Sequence, residues 1–152
     1  KVEDFDSQGL ANTAWSFATL GFRSLPLLDA IAAASLARLA QFGTQGLANP
    51  AWAYASLALA NPPLLNSVST AALSCLRQFR AQELANLSWA CATFEMGDCP
   101  LLHAISARSM PLIPEFGTQG VANLAWSMAT RLFLDPPLLH ALSAAALPSM
   151  TA

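Results

Sequence analysis

One short segment recurs four times at a constant interval, and this interval constrains the fold more than any other feature. The clearest copy reads FGTQGLANPAW, from Phe42 to Trp52. The step between copies is 37 residues, as from Trp15 to Trp52, and a Pro-Leu-Leu triplet keeps the same step. A fixed period of this length is typical of stacked helical repeats. We therefore divide the chain into repeats 5–41, 42–78, 79–115 and 116–152.

Each repeat has the pattern of a helical hairpin. In repeat 1, apolar residues recur at helical spacing and predict a first helix from about Gln8 to Gly21, with Ser7 as its N-cap. The second half opens at Ser24, and its counterparts Asn61, Asp98 and Asp135 are also residues favoured at helix N-caps. A second helix should run from there to about Ala40. The pattern predicts an all-α fold, an α-solenoid of four stacked helix-turn-helix repeats.

Prolines predict two irregularities. Pro50 falls inside the first helix of repeat 2, so that helix either kinks there or starts late with Asn49 as its N-cap. In repeat 3, Pro111 and Pro114 interrupt the second half, and we expect that helix to end near Met110.

We interpret three of the positions that are identical in all four copies as structural anchors of the repeat. The tryptophan is predicted to lie in the core, because an indole buries a large area and has only one N–H to satisfy. The glutamine and asparagine lie one helical turn apart, and a ladder of hydrogen bonds between stacked copies would satisfy buried amides. These anchors are Gln8, Asn12, Trp15, Gln45, Asn49, Trp52, Gln82, Asn86, Trp89, Gln119, Asn123 and Trp126.

We expect a partner to be recognised by residues on the exposed arc of the first helix, at positions that vary between copies. Most of these side chains are apolar, which fits a protein surface better than a nucleotide, although Phe94 and Arg131 are able to stack on a base. The predicted interaction surface comprises Thr13, Leu20, Pro50, Leu57, Leu87, Phe94, Leu124 and Arg131.

The composition is poor in charge. Charged residues make up 11% of the chain, against about 25% in an average domain, and the formal net charge is −2. This balance provides no electrostatic reason to bind DNA, RNA or an anionic membrane. The longest stretch without charge, from Leu39 to Leu76, is interrupted by amides and prolines, so no transmembrane segment is predicted.

No arrangement of residues indicates catalysis, and we predict no catalytic residue, cofactor or metal site. The three cysteines, Cys75, Cys91 and Cys99, are scattered and are interpreted as small core residues of a protein in a reducing compartment. Cys99 and His103 are spaced as half of a metal site, but no second pair completes four ligands.

The segment QELANLSWACA, from Gln82 to Ala92, resembles the first helix of the octotricopeptide repeat. The resemblance extends over nearly all of residues 5–152, although the usual unit of that family is one residue longer. It implies an α-solenoid imported into plastids or mitochondria of photosynthetic microbes. It also implies RNA binding in the maturation, stability or translation of organelle transcripts, without assigning bases to the variable positions.

Two functions follow, and we favour the first. In the first, the chain is a non-catalytic scaffold or accessory subunit that docks on other protein subunits of a large organelle complex through apolar faces. Its end repeats carry no polar caps, so we expect a fragment of a longer array whose ends meet more protein. In the alternative, it binds single-stranded RNA as octotricopeptide proteins do. Both place it in an organelle, a plastid in preference to a mitochondrion, as a soluble or peripheral component.

Overall fold

The computed structural model describes residues 1–94 and 100–150, without the side chains of 148–150. In this part of the chain, the regular elements are all helical. The α-helices are α1 Ser7–Thr19, α2 Leu25–Ala37, α3 Thr44–Ser56, α4 Pro62–Cys75, α5 Ala81–Thr93, α6 Pro100–Ser109, α7 Thr118–Thr130 and α8 Pro136–Met150. Each repeat contributes two of them, which confirms the predicted all-α fold of helical hairpins. The odd-numbered helices are called first helices below, and the even-numbered ones second helices.

The chain forms two compact units, Lys1–Cys75 and Leu76–Ala152. In the first unit, α1 packs along α3 while α2 contacts α4. In the second, α5 packs along α7 and α6 contacts α8. Like helices therefore lie side by side within each unit, which is the arrangement of an α-solenoid.

The first helices start in different ways. α1 begins at Ser7, so the N-cap is Asp6 and not Ser7, and the Asp6 carboxylate accepts a hydrogen bond of 2.7 Å from the Gly9 N–H. At a helix N-terminus, the Asp6 carboxylate is a stronger hydrogen-bond acceptor than the Ser7 hydroxyl. In α5, Glu83 replaces the repeat glycine, and its carboxylate accepts from the Arg80 N–H at 2.9 Å. In repeat 2, Gly46 leaves room for the repeat phenylalanine, because a Cβ there would lie 3.0 Å from the Phe42 ring.

The two irregularities predicted from proline have clear outcomes. α3 begins at Thr44, so it does not start late at Asn49, and Pro50 is a buried residue inside the helix. An interior proline costs about 3 kcal/mol, and the packing of its buried ring offsets part of that cost. α6 ends at Ser109, and a 3₁₀ helix continues over Met110–Glu115, which confirms the shortened helix of repeat 3.

Three first helices end in a residue with left-handed backbone. Gly21, Ala58 and Leu132 occupy the same repeat position and have φ of 65°, 51° and 51°. After α1, Gly21 donates its N–H to the Ala18 carbonyl and Phe22 donates to that of Phe17. The same pair of bonds follows α3 and α7. This is the Schellman motif, which turns the chain into the second helix of the hairpin.

Two polar contacts hold helices together inside the units. In the first unit, the Tyr54 hydroxyl on α3 donates to the Leu28 carbonyl on α2. Burial, and secondarily the charge of Asp29, raise the pKa of Tyr54 above its ordinary value. In the second unit, Asp135 accepts from the Leu138 N–H at 3.1 Å and from the Ser106 hydroxyl at 2.5 Å, joining the start of α8 to α6.

The predicted N-caps of the second helices are in place where the structure describes them. Asn61 accepts from the Leu64 N–H at 3.1 Å, and Asp135 caps α8 as described above. Ser24 precedes α2 but makes no side-chain capping bond. Asp98 lies outside the described residues.

Candidate interaction surface

The variable positions of the first helices do not form an exposed strip. Leu87 and Leu124 are fully buried, and Pro50 and Leu57 are buried as well. Thr13, Phe94 and Arg131 are half-buried, so Leu20 alone of the eight is freely exposed, at 79%. The expectation of an exposed apolar strip is wrong for the four buried residues.

The reason lies in the stacking of like helices. Position 50 of α3 and position 124 of α7 belong to helices that pack along a preceding first helix, and both are buried. Their counterpart Thr13 lies on α1, the first helix of repeat 1, and is only half-buried. Positions 50 and 124 therefore lie on the side that faces the preceding repeat of the same unit. They vary because each copy packs against a different neighbour.

A different stripe of each first helix points to solvent. It contains the repeat glutamine, the asparagine one turn later, the tryptophan and a final serine or threonine, at spacings i, i+4, i+7 and i+11. At about 100° per residue, these four lie within about 60° of one another. We call this stripe the tryptophan face; in α1 it comprises Gln8, Asn12, Trp15 and Thr19, all of which are exposed.

The tryptophans are not core residues, contrary to the sequence-based prediction. Trp15 is 43% exposed and Trp126 is 45% exposed, while Trp52 and Trp89 are half-buried. In the first unit, the Trp15 and Trp52 rings lie with centroids 6.3 Å apart and planes tilted by 33°. In the second unit, Trp89 and Trp126 repeat this arrangement at 6.3 Å and 35°. Each unit thus presents a pair of neighbouring indoles with part of their surface open to solvent.

The amides beside the tryptophans are accessible and are not a buried ladder. All four repeat glutamines are exposed, and the asparagines are exposed or half-buried. The Gln82 amide donates to the Asn86 side chain at 3.0 Å, but this bond runs along α5 itself. The amides keep hydrogen-bonding capacity for a ligand, since each carries both donors and an acceptor.

The hydroxyl at the end of the stripe has a local structural role. Thr19, Ser56 and Thr93 donate to the carbonyl of the tryptophan one turn earlier, at 2.8–2.9 Å. The tryptophan face is therefore polar and aromatic. Sequence reasoning does not find this face when it places the indole in the core. The repetition of Gln, Asn, Trp and a hydroxyl residue at i, i+4, i+7 and i+11 was the signal that identifies it.

The tryptophan face carries no formal positive charge. The first helices contain no lysine or arginine, and Glu83 is their one charged residue. Two arginines elsewhere are engaged with main-chain carbonyls: Arg38 donates to that of Glu3 at 2.6 Å, and Arg108 to that of Arg77 at 2.9 Å. The face can thus offer stacking and hydrogen bonds, but no cationic track for phosphates.

A second exposed feature is apolar. Leu20, Phe22 and Leu25 are all more than half exposed where α1 turns into α2. The Phe22 ring contacts that of Phe17 edge-on at 5.8 Å. Together these side chains form a small apolar patch at the turn.

The described residues contain no group of three or more metal-ligating side chains. Cys91 is buried and Cys75 half-buried, and the Cys75 thiol donates to the Ala71 carbonyl at 3.3 Å. Cys99 lies outside the described residues, so its spacing from His103 is not tested. The His103 ring instead contacts Phe133 edge-on at 4.4 Å. In the same part of the chain, none of the helices is both long and apolar enough to span a membrane.

A family model for RNA-editing substrate-binding complex 6 proteins matches residues 16–151. The chain belongs to this family. No curated protein matches it. The region that matches the family model extends from within α1 through α8 and therefore includes residues of all four repeats. The resemblance noted from the sequence is thereby confirmed at the level of an RNA-related family, while the octotricopeptide assignment itself remains a prediction.

Proposed function

We propose that this protein is a non-catalytic, RNA-associated subunit of an organelle RNA-processing assembly, and that it contacts single-stranded RNA through the tryptophan face. The observation that carries the proposal is the pairing of partly exposed indoles with exposed amides on neighbouring first helices. Family membership also supports an association with RNA, because the family takes its description from an RNA-editing substrate-binding complex.

The chemistry of the face suits unpaired bases. Every base has a flat π-face, and stacking on an aromatic side chain contributes about 1–3 kcal/mol per base. The carboxamides of Gln8 and Asn12 and of their counterparts present donors and acceptors suited to base edges. Because these residues do not vary between repeats, the face is expected to bind RNA with little sequence preference.

The lack of cations on the face makes a distinctive prediction about salt. A protein with 6–10 phosphate contacts loses roughly 10³–10⁵ in affinity between 50 and 200 mM salt. Binding by stacking and amide contacts should change by less than about tenfold over that range. Weak salt dependence is therefore the expected signature of this surface.

The test is fluorescence anisotropy with a short labelled single-stranded RNA, comparing the wild type with Trp15→Ala and Trp126→Ala. Loss of one stacked base should weaken binding by about 5- to 150-fold. Phe22→Ala is the matched control, since Phe22 is an exposed aromatic outside the tryptophan face. Unchanged affinity in both tryptophan variants would refute the proposal, as would equal loss in the Phe22 variant.

A second candidate is a scaffold subunit that docks on other proteins of such an assembly. The apolar patch of Leu20, Phe22 and Leu25 and the low charge of the chain favour it. Capture from an organelle extract with and without ribonuclease separates the two candidates. Partners that survive ribonuclease and are lost in Leu20→Asp support docking, whereas partners that disappear with the RNA support the first proposal.

The finer assignment follows from the octotricopeptide-like core, Leu-Ala-Asn-x-x-Trp. On that basis we place the protein in a plastid in preference to a mitochondrion. The absence of a catalytic arrangement in the sequence and its low charge lead us to propose no enzymatic activity, no cofactor and no DNA ligand. Fractionation of purified organelles with an antibody against this chain checks the placement. Recovery outside both organelles would contradict it.

A further inference from the structure

A short 3₁₀ helix precedes the first helix in each of repeats 1, 2 and 3 and lies against the second helix of that repeat. These 3₁₀ helices are Val2–Asp4, Leu39–Gln41 and Leu76–Gln78. Their middle residues, Glu3, Ala40 and Arg77, occupy equivalent positions, since 37 residues separate each from the next. The three junctions between a 3₁₀ helix and a second helix can therefore be compared residue by residue.

In repeats 1 and 3, an arginine satisfies the carbonyl of this middle residue. Arg38, directly after α2, donates to the Glu3 carbonyl at 2.6 Å, and Arg108 of α6 donates to the Arg77 carbonyl at 2.9 Å. The Nε atom of Arg108 is buried, so this side chain lies within the junction. Carbonyls at the end of a helix have no partner inside the helix, and a cation beside them is stabilising. The chain thus places a guanidinium at the same carbonyl twice.

Repeat 2 has the same carbonyl without the arginine. The positions equivalent to Arg108 and Arg38 are Ala71 and Cys75 in α4. An open groove of about 610 Å³ lies here, between α4 and the 3₁₀ helix that contains Ala40. The Cys75 thiol donates to the Ala71 carbonyl of its own helix at 3.3 Å. In this repeat, α4 therefore supplies no cation for the Ala40 carbonyl.

The polar side chains of the groove offer acceptors. They belong to one face of α4 and are Asn66, Ser67, Thr70 and Ser74. The Thr70 hydroxyl donates to the Asn66 carbonyl at 3.0 Å, and the Ser74 hydroxyl donates to the Ala71 carbonyl at 2.6 Å. Because each of these hydroxyls uses its single hydrogen within α4, its oxygen offers only lone pairs to a ligand. All the residues that line the groove are uncharged, so no fixed cation excludes another one.

We propose that the groove of repeat 2 binds an arginine side chain of a partner protein. The guanidinium donates to the Ala40 carbonyl, as Arg108 does to the Arg77 carbonyl, and to the hydroxyl oxygens of Thr70 and Ser74. A guanidinium has five N–H donors in one plane and no acceptor, which matches a groove of acceptors. A phosphate does not suit this groove, because phosphate oxygens are themselves acceptors. The site therefore differs from the tryptophan face in its position and in its ligand.

The test is an NMR titration of the isotope-labelled protein with N-acetyl-arginine amide, in which the guanidinium is the only charge. The chemical shift of the Ala40 carbonyl carbon reports the new hydrogen bond directly. We expect this shift to saturate with a dissociation constant of about 1–10 mM, as suits a single side chain. N-acetyl-citrulline amide has the same shape without the charge, and N-acetyl-lysine amide has the charge without the planar fork. Both should bind at least about fivefold more weakly.

A matched pair of variants tests the position of the site. Ala71→Arg introduces into α4 the side chain that α6 carries at the equivalent position 108. It should fill the groove, move the Ala40 carbonyl resonance without added ligand, and weaken binding by about tenfold or more. Leu73→Arg is the control, because it adds the same charge to α4 at an exposed residue outside the groove. Its affinity should equal that of the wild type, and circular dichroism confirms that both variants are folded.

Three results would overturn the proposal. The first is a wild type whose Ala40 carbonyl resonance does not move with N-acetyl-arginine amide. The second is equal binding of the citrulline or lysine compound, which would mean that the guanidinium is not recognised. The third is unchanged binding in Ala71→Arg. RNA binding should be the same in Ala71→Arg as in the wild type, since the tryptophan face contains no residue of the groove, so failure of either proposal is recognised separately.

Discussion

The left-handed residues that end the first helices provide a sharp test of the fold. Leu132 holds φ of 51° at a position where repeat 1 has Gly21, and its side chain is 91% exposed. A non-glycine residue in this conformation costs about 1–2 kcal/mol, because its Cβ crowds the following carbonyl. Replacing Leu132 with glycine removes that cost. It also makes the unfolded chain more flexible, which lowers the free energy of unfolding by roughly 0.4–1 kcal/mol.

The net expectation for Leu132→Gly is a gain of about 0.5–1 kcal/mol in the free energy of unfolding, since so exposed a side chain loses little packing. For a chain of this size, that gain raises the melting temperature by about 1–4 °C. The reverse change, Gly21→Ala, should destabilise by about 0.5–1 kcal/mol, because the backbone strain exceeds the gain from a less flexible unfolded chain. No steric clash adds to this cost, since no atom lies within 4 Å of the added Cβ.

Urea unfolding followed by circular dichroism measures these differences. Leu134→Gly is the control: Leu134 is 79% exposed in the same turn, and its φ is not positive. It should be neutral or destabilising, because glycine there gains flexibility and relieves no strain. The reasoning would be refuted if Leu132→Gly behaved like Leu134→Gly, or if Gly21→Ala had no effect.

Three further predictions concern buried polar contacts. Tyr54→Phe should cost about 1–2 kcal/mol, because the Leu28 carbonyl then loses its buried partner; thermal unfolding checks this. Burial raises the pKa of Tyr54, so its contribution to stability should be present below about pH 10 and lost as the pH rises above it. Tyrosinate absorbance reports this directly, since the chain has one tyrosine, and its appearance before unfolding would contradict the assignment. Asn61→Ala should lower the free energy of unfolding by about 1 kcal/mol, because only an N-cap is lost. Asp135→Ala should lower it further, because Asp135 also accepts a hydrogen bond from Ser106. Equal losses in urea unfolding would count against a stabilising role for the Ser106 bond.

Local signals in the sequence were sufficient for the hairpins. The 37-residue period, the capping residues Asn61 and Asp135, and the prolines that shorten α6 predicted the helices in their correct order. These features act through the backbone of neighbouring residues, so they are readable without knowing what packs against them. The cap of α1 was misplaced by one residue because Asp6 and Ser7 are both suitable caps.

Which side of each first helix meets solvent was decided only by the tertiary structure. A helix in a stacked array is contacted by the preceding first helix, the following one and its own second helix, whereas an apolar-polar pattern divides it into only two sides. Leu124 therefore seemed exposed because its position varies, although it packs in the interior. The size and apolar character of Trp15 predict a core residue, but it lies at the edge of the core, where it contacts Trp52 and 43% of its surface remains exposed. The sequence alone determined the repeat and its hairpins, and the packing of one repeat on the next determined the surface.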